Sequence, residues 1–162
     1  MHTLFKSLIA QTLLCIPLLA CASSTRLDTL LAAEQAPAGV VIEIVTGDRA
    51  GLSWALPQAQ LYIKKLRQRF PSIHIAIVTH GQEQFALQKK QHTKEKKVHS
   101  LTRSLLKDDV QLHVCGTYAE WEGLSKEDFP EYVDVAAAGP TQVNDYLALD
   151  YKLIIIKRRE NK

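Results

Sequence analysis

An α/β fold, with an open, mostly parallel sheet and helices on both faces, is the class this sequence predicts. Three observations carry that expectation. Short runs rich in Val and Ile, such as Val40–Val45, His74–Thr79 and Leu153–Ile156, are apolar without strict alternation, as strands covered on both sides are. Stretches with helical spacing separate them, and strand–helix alternation implies parallel pairing. The 162 residues are 46% hydrophobic and 23% charged, which suits one folded domain and excludes wholesale disorder.

The elements follow in order. Lys6 precedes an apolar run from Ser7 to Ala20 that only Gln11, Thr12 and Pro17 interrupt. Its length fits a signal h-region and is short for a membrane span. Two processing routes fit its end. Leu18-Leu19-Ala20-Cys21 resembles a lipobox, which would lipidate Cys21 and anchor the protein to the membrane. Ala20-Cys21-Ala22 also fits ordinary signal cleavage, and the lipobox is favoured. Residues 1–21 are thus read as an export signal, which implies a periplasmic protein. Residues 22–39, small, polar and marked by Pro and Gly, read as a tether with a short helix near Leu27–Glu34. Residues 40–162 read as the domain.

Val40–Val45 is the first strand, closed by Thr46-Gly47-Asp48. Leu52, Leu56, Ala59, Ile63, Leu66 and Phe70 then recur at helical spacing, with Pro57 expected near the helix start and Pro71 as its stop. His74–Thr79 is the second strand, and Gly81 leads to a weaker helical stretch over Gln82–Gln88. A basic run follows (Lys89, Lys90, Lys94, Lys96, Lys97), then an amphipathic helix over Val98–Lys107. Val110–Cys115 is the third strand. Thr117-Tyr118-Ala119-Glu120 has the pattern of a capping box and predicts a helix start at Thr117. Pro140, Val143, Tyr146 and Leu147 mark a last helix with Pro in its first turn, before the final strand Leu153–Ile156.

Composition and motifs exclude several functions. Twenty Lys and Arg against 17 Asp and Glu give a net charge of +3, too weak a balance to predict nucleic-acid binding. Three cysteines make no disulfide scaffold. The chain has no Cys-x-x-Cys dithiol, no Gly-x4-Gly-Lys-Ser/Thr or Gly-x-Gly-x-x-Gly phosphate cradle, and no Gly-x-Ser-x-Gly elbow. Trp121 stands six residues after Cys115, where a rhodanese or phosphatase loop needs Arg.

Ligands of open parallel sheets gather beyond the carboxyl ends of the strands. Asp48, His80 and Cys115 occupy those ends. Cys115 would sit near a helix N-terminus, whose N–H groups favour a thiolate. Gly116 allows a tight turn beside it, and Thr117 would cap the helix. His113, two residues upstream, shares its side of the strand and could exchange a proton with it. An inert core cysteine is the plain alternative. His80, His113 and Cys115 could also converge on a soft metal, though their spacing is not diagnostic. Asp48 could orient His80 or bind substrate, but a turn-forming Asp is the commoner case. The Lys89–Lys97 run could dock an acidic partner or anionic lipid; more often such a run is a solvated loop. Trp54, Tyr118 and Trp121 are candidates to cover the site or fill an oligomer interface, with core packing the default.

Val114-Cys115-Gly116, Gly123-Leu124, Glu127-Asp128-Phe129, Val133-Asp134-Val135, Gly139-Pro140 and Asp150-Tyr151-Lys152-Leu153-Ile154 together resemble the C-terminal half of the DsrE/DsrF-like (YchN-like) family. The resemblance extends over about residues 40–157. It implies a three-layer flavodoxin-like domain that assembles into homo-oligomers. It also implies sulfane sulfur carried as a persulfide on Cys115 and passed between donor and acceptor proteins or small thiols, with no cofactor. The export signal departs from the family's best-known sulfur-relay members, which are cytoplasmic, and some members have no demonstrated transferase activity. A noncatalytic binding or assembly module on the same scaffold is the alternative, and a Cys/His metal-binding protein a more distant one.

Overall fold

A computed structural model describes residues 26–158. The segment expected to be an export signal, with Cys15 and Cys21, lies outside the described residues. A short helix α1 (Arg26–Leu31) precedes β1 (Gly39–Ile44), α2 (Leu52–Arg69) and β2 (His74–Thr79). A 3₁₀ turn (Gln82–Leu87) leads to α3 (Lys96–Lys107), β3 (Val110–Cys115) and α4 (Gly116–Trp121). Then come β4 (Asp134–Ala136), α5 (Gly139–Ala148) and β5 (Tyr151–Ile156).

The five strands form one sheet in the order β4-β3-β2-β1-β5, and every pairing is parallel. The predicted α/β open sheet is the observed one. The order explains why β1 and β2 read as continuous apolar runs: both lie inside the sheet with helices on either side. One layer packs α1, α2 and α3 against Val40, Ile42, Ile44, Ile75 and Ile77. The other is thin: Val41, Ala76 and Val78 meet Val143 and Tyr146 of α5. Successive strand residues serve opposite layers, so a one-residue slip in register would empty both.

Several elements differ from expectation. Among the described residues, packing extends ahead of Val40 to α1: Leu27 is buried in the core and Arg69 donates to the Leu31 and Ala33 carbonyls. Pro57 sits in the second turn of α2 rather than at its start, and it has no N–H to give the Ser53 carbonyl. The basic run is folded at both ends, with a 3₁₀ turn at Lys89–Gln91 and α3 starting at Lys96. β4, an edge strand of three residues, was not predicted as a strand. α3 and α5 each stop at an Asp with positive φ, Asp109 at 54° and Asp150 at 65°, which swings the chain into β3 and β5.

Candidate functional site

The loops after β1, β2 and β3 and the start of α5 enclose a cavity of about 660 Å³. Val45, Thr46, His80, Cys115, Tyr118 and Trp121 are among its walls. It lies at the carboxyl ends of the parallel strands, where such sheets bind ligands. A larger groove of about 840 Å³ between α2 and α3 is lined by Pro57, Lys64 and Arg67 and contains no cysteine or histidine.

Two consecutive buried residues of the 3₁₀ turn hold this end of the sheet together. Glu83 accepts from the Thr79 hydroxyl at 2.6 Å, the Gly81 N–H at 2.9 Å and the Thr46 N–H at 2.6 Å. It thereby ties the loop after β1 to the loop after β2. A fully buried carboxylate is costly unless donors meet it, and here three do. Gln84 clasps the backbone of Cys115, accepting from its N–H at 2.7 Å and donating to its carbonyl at 3.3 Å. The main chain that carries the sulfur is fixed from the neighbouring loop.

Cys115 is only 4% exposed, yet it forms part of the cavity wall. It is also the N-cap of α4: its sulfur accepts from the Tyr118 N–H at 3.4 Å. Thr117 does not cap the helix as predicted, because the cap of α4 lies two residues earlier, at Cys115. Its N–H and hydroxyl both donate to the Ala137 carbonyl, at 3.0 and 2.8 Å. The capping box lies further on, at Ser125 and Asp128. Gly116 acts by close approach rather than by a special turn: a Cβ there would stand 2.9 Å from the Ala136 carbonyl oxygen. β4 therefore backs the turn that displays the sulfur.

The other predicted residues divide. His80 lines the cavity, and its Nε2 donates to Glu43 Oε1 at 2.8 Å. His113 shares the sheet face of Cys115, as predicted, but both its nitrogens are taken. Nδ1 pairs with Asp134 Oδ2 at 2.5 Å, and Nε2 pairs with the Tyr146 hydroxyl at 2.8 Å. Burial, with Tyr151 and Asp134 beside it, pushes the Tyr146 phenol up to about 12, so it stays neutral in this network. His113 thus anchors β3 to β4 and α5 and leaves no nitrogen for the sulfur. The soft metal site loses a ligand accordingly, and no group of three His, Cys, Asp or Glu suited to a metal occurs among the described residues.

Asp48 lies outside the cavity wall and builds the turn after β1, accepting from the Ala50 N–H at 2.9 Å. Tyr118 and Trp121 do line the cavity, and Gln82 donates to the Tyr118 hydroxyl at 2.5 Å. Trp54 packs against the core instead. Sequence reasoning missed Glu43, Glu83 and Gln84. Glu43 left a signal: it is the one charge within a β-branched run. Glu83 and Gln84 left none, since polar residues in a weak helical stretch look solvated.

The DsrE/DsrF-like family model matches residues 22–155. No curated protein matches the sequence. Among solved structures, the fold is similar to that of a protein of unknown function from Methanobacterium thermoautotrophicum, at TM-score 0.56 and 19% identity, over 72% of this chain and 97% of that one. At that identity the likeness speaks to the fold alone. The family match covers nearly the whole described chain, including every strand end around the cavity: the chain belongs to the DsrE/DsrF-like family, whose members include sulfur-relay proteins.

Proposed function

We propose that the protein carries sulfane sulfur as a persulfide on Cys115, receiving it from a donor and passing it to an acceptor protein or small thiol in the cell envelope. One observation carries this reading: the only cysteine of the described residues lies on the wall of a cavity at the ligand-binding end of the sheet. Persulfide exchange needs an accessible sulfur and a site for the partner, and no metal or nucleotide. Having no second thiol in the cavity also suits a carrier, since a resolving cysteine would release the cargo as sulfide.

The test is site-resolved mass spectrometry of the full-length chain after exposure to polysulfide. The peptide carrying Cys115 is expected to gain about 32 Da, one sulfur atom, reversibly with reductant. The gain is lost completely at this site in Cys115→Ser. No adduct on Cys115 under conditions that load a simple thiol sinks the proposal. The 4% exposure of Cys115 favours a second reading, a noncatalytic binding module, and the same null result would support it.

The envelope location and a membrane tether through Cys21 rest on the apolar run before that residue and the small residues around it. A homo-oligomer is supported by apolar side chains left in water: Leu149 is 64% exposed and Ile155, on edge strand β5, 38%. Light scattering on the purified chain is expected to give a multiple of the 18.2 kDa chain mass. Ile155→Asp should shift it towards the monomer by placing a charge in the contact. A monomeric wild type would remove this part of the proposal.

A further inference from the structure

We infer that Glu43, His80 and Cys115 act as one proton-handling unit, in which Glu43 fixes the His80 ring through Nε2 and His80 Nδ1 moves the proton of the Cys115 thiol. This rests on the carrier reading above for its reaction, but not for its geometry.

The strand register places the three residues together. Glu43 pairs with Val78, and His80 lies two residues beyond Val78, so both point to the α5 face of the sheet. Val78 also pairs with His113, and Cys115 lies two residues beyond that on the same face. His80 and Cys115 each stand one step past the last β2–β3 pair, Thr79 with Val114. Neighbouring strands run about 5 Å apart there. The His80 N–H still bonds the Ile44 carbonyl at 3.2 Å, so the chain has not yet left the sheet.

Glu43 interrupts an otherwise apolar strand, and a half-buried carboxylate costs stability unless it is partnered. Its hydrogen-bond partner is His80, at 2.8 Å, with the two side chains 18% and 14% exposed. That bond consumes Nε2. Nδ1 has no hydrogen-bond partner among the described residues, and the ring lines the cavity that Cys115 also lines. Gly139 seats the ring: a Cβ there would stand 2.4 Å from His80 Cβ. No Lys or Arg lines the cavity. Besides His80, the ionisable residues of the cavity wall are Cys115 from β3 and Tyr118 from α4, and Glu43 from β1 bonds the ring. Glu83 is saturated by Thr46, Thr79 and Gly81, and α5 brings only Pro140 and Thr141 to the wall. His80 is therefore the one lining side chain able to place a cation beside a thiolate.

The step balances without an added oxidant or reductant. His80 Nδ1 takes the Cys115 thiol proton. The thiolate's electron pair forms a bond to the outer sulfur of a donor persulfide, R–S–SH. The donor S–S bond breaks with its pair on R–S⁻, which takes the proton back from the imidazolium. Cys115–SH and R–S–SH become Cys115–S–SH and R–SH. Glu43 touches neither sulfur; it is a positioning residue that selects the Nε2–H tautomer and steadies the imidazolium.

The experiment is alkylation of Cys115 by iodoacetamide, an uncharged probe, in the full-length chain, followed at its own peptide from pH 5 to 9. Relative to wild type, His80→Gln and Glu43→Gln are each expected to react about tenfold more slowly at pH 7. Both should also move the rise of the rate to higher pH. The double variant should be no slower than His80→Gln, because Glu43 works through His80. An unchanged profile in His80→Gln, or full additivity in the double variant, overturns the inference. Nitrogen NMR of wild-type His80 at pH 8 needs no variant: an Nδ1–H tautomer overturns it as well. If the profiles behave as expected but polysulfide adds nothing to Cys115, the unit stands and the carrier reading fails. Sulfur loading that ignores both variants has the opposite meaning.

Discussion

Glu83→Ala is expected to lower the unfolding free energy by about 3–5 kcal/mol, read as a shift in the denaturation midpoint in urea. The carboxylate is fully buried and meets three donors from two loops. Alanine removes the acceptor and leaves the Thr79 hydroxyl and the N–H groups of Thr46 and Gly81 facing one another. Each stranded buried donor costs about 1–3 kcal/mol, less where water can enter, as it can at the half-buried Thr46. Glu83→Gln keeps the shape but turns an –NH2 towards an N–H, so it should fall between wild type and alanine. A midpoint unchanged in both variants would show that the two loops hold together without this knot.

Gln84→Leu is the companion case, with an expected loss of about 2–4 kcal/mol. Leucine nearly preserves volume, so packing contributes little and the loss reports polar pairing. The Cys115 N–H and carbonyl are both left without the side chain that clasps them. The effect should reach the chemistry too: sulfur loading of Cys115 should fall even at temperatures where the variant is fully folded. Full stability together with full loading in Gln84→Leu would mean that β4 alone positions the turn.

Particular residues show what was legible in advance. β2 and β3 were read to the residue because apolar runs bounded by Gly81 and Gly116 leave little freedom. β4 was not, since three residues with an exposed Asp134 carry no periodic signal and gain their place by pairing with β3, as His113 does with Asp134. Cys115 and His80 were legible because the rule of strand carboxyl ends needs only the strands. His113 shows the limit of that rule: alternation fixes its face, whereas Asp134 and Tyr146, distant in sequence, decide what its nitrogens do. The helix cap was displaced by two residues, from Thr117 to Cys115, because a sulfur rather than the threonine hydroxyl took the capping position. Propensity tables favour Ser, Thr, Asp and Asn there, so a cysteine cap leaves no trace in the sequence.

That capping sulfur ties the chemical state of the site to the shape of its rim. The lone pair that receives the Tyr118 N–H belongs to the atom proposed to accept cargo. Under the proposed loading, an added sulfur atom would enlarge and recharge that acceptor, and the first turn of α4 would have to adjust its hydrogen bond. Tyr118 lies edge-on to Trp121, whose ring is 78% exposed at the end of the same helix. On the proposed carrier reading, a docking protein that touched Trp121 would meet one rim with the sulfur bare and another with it loaded.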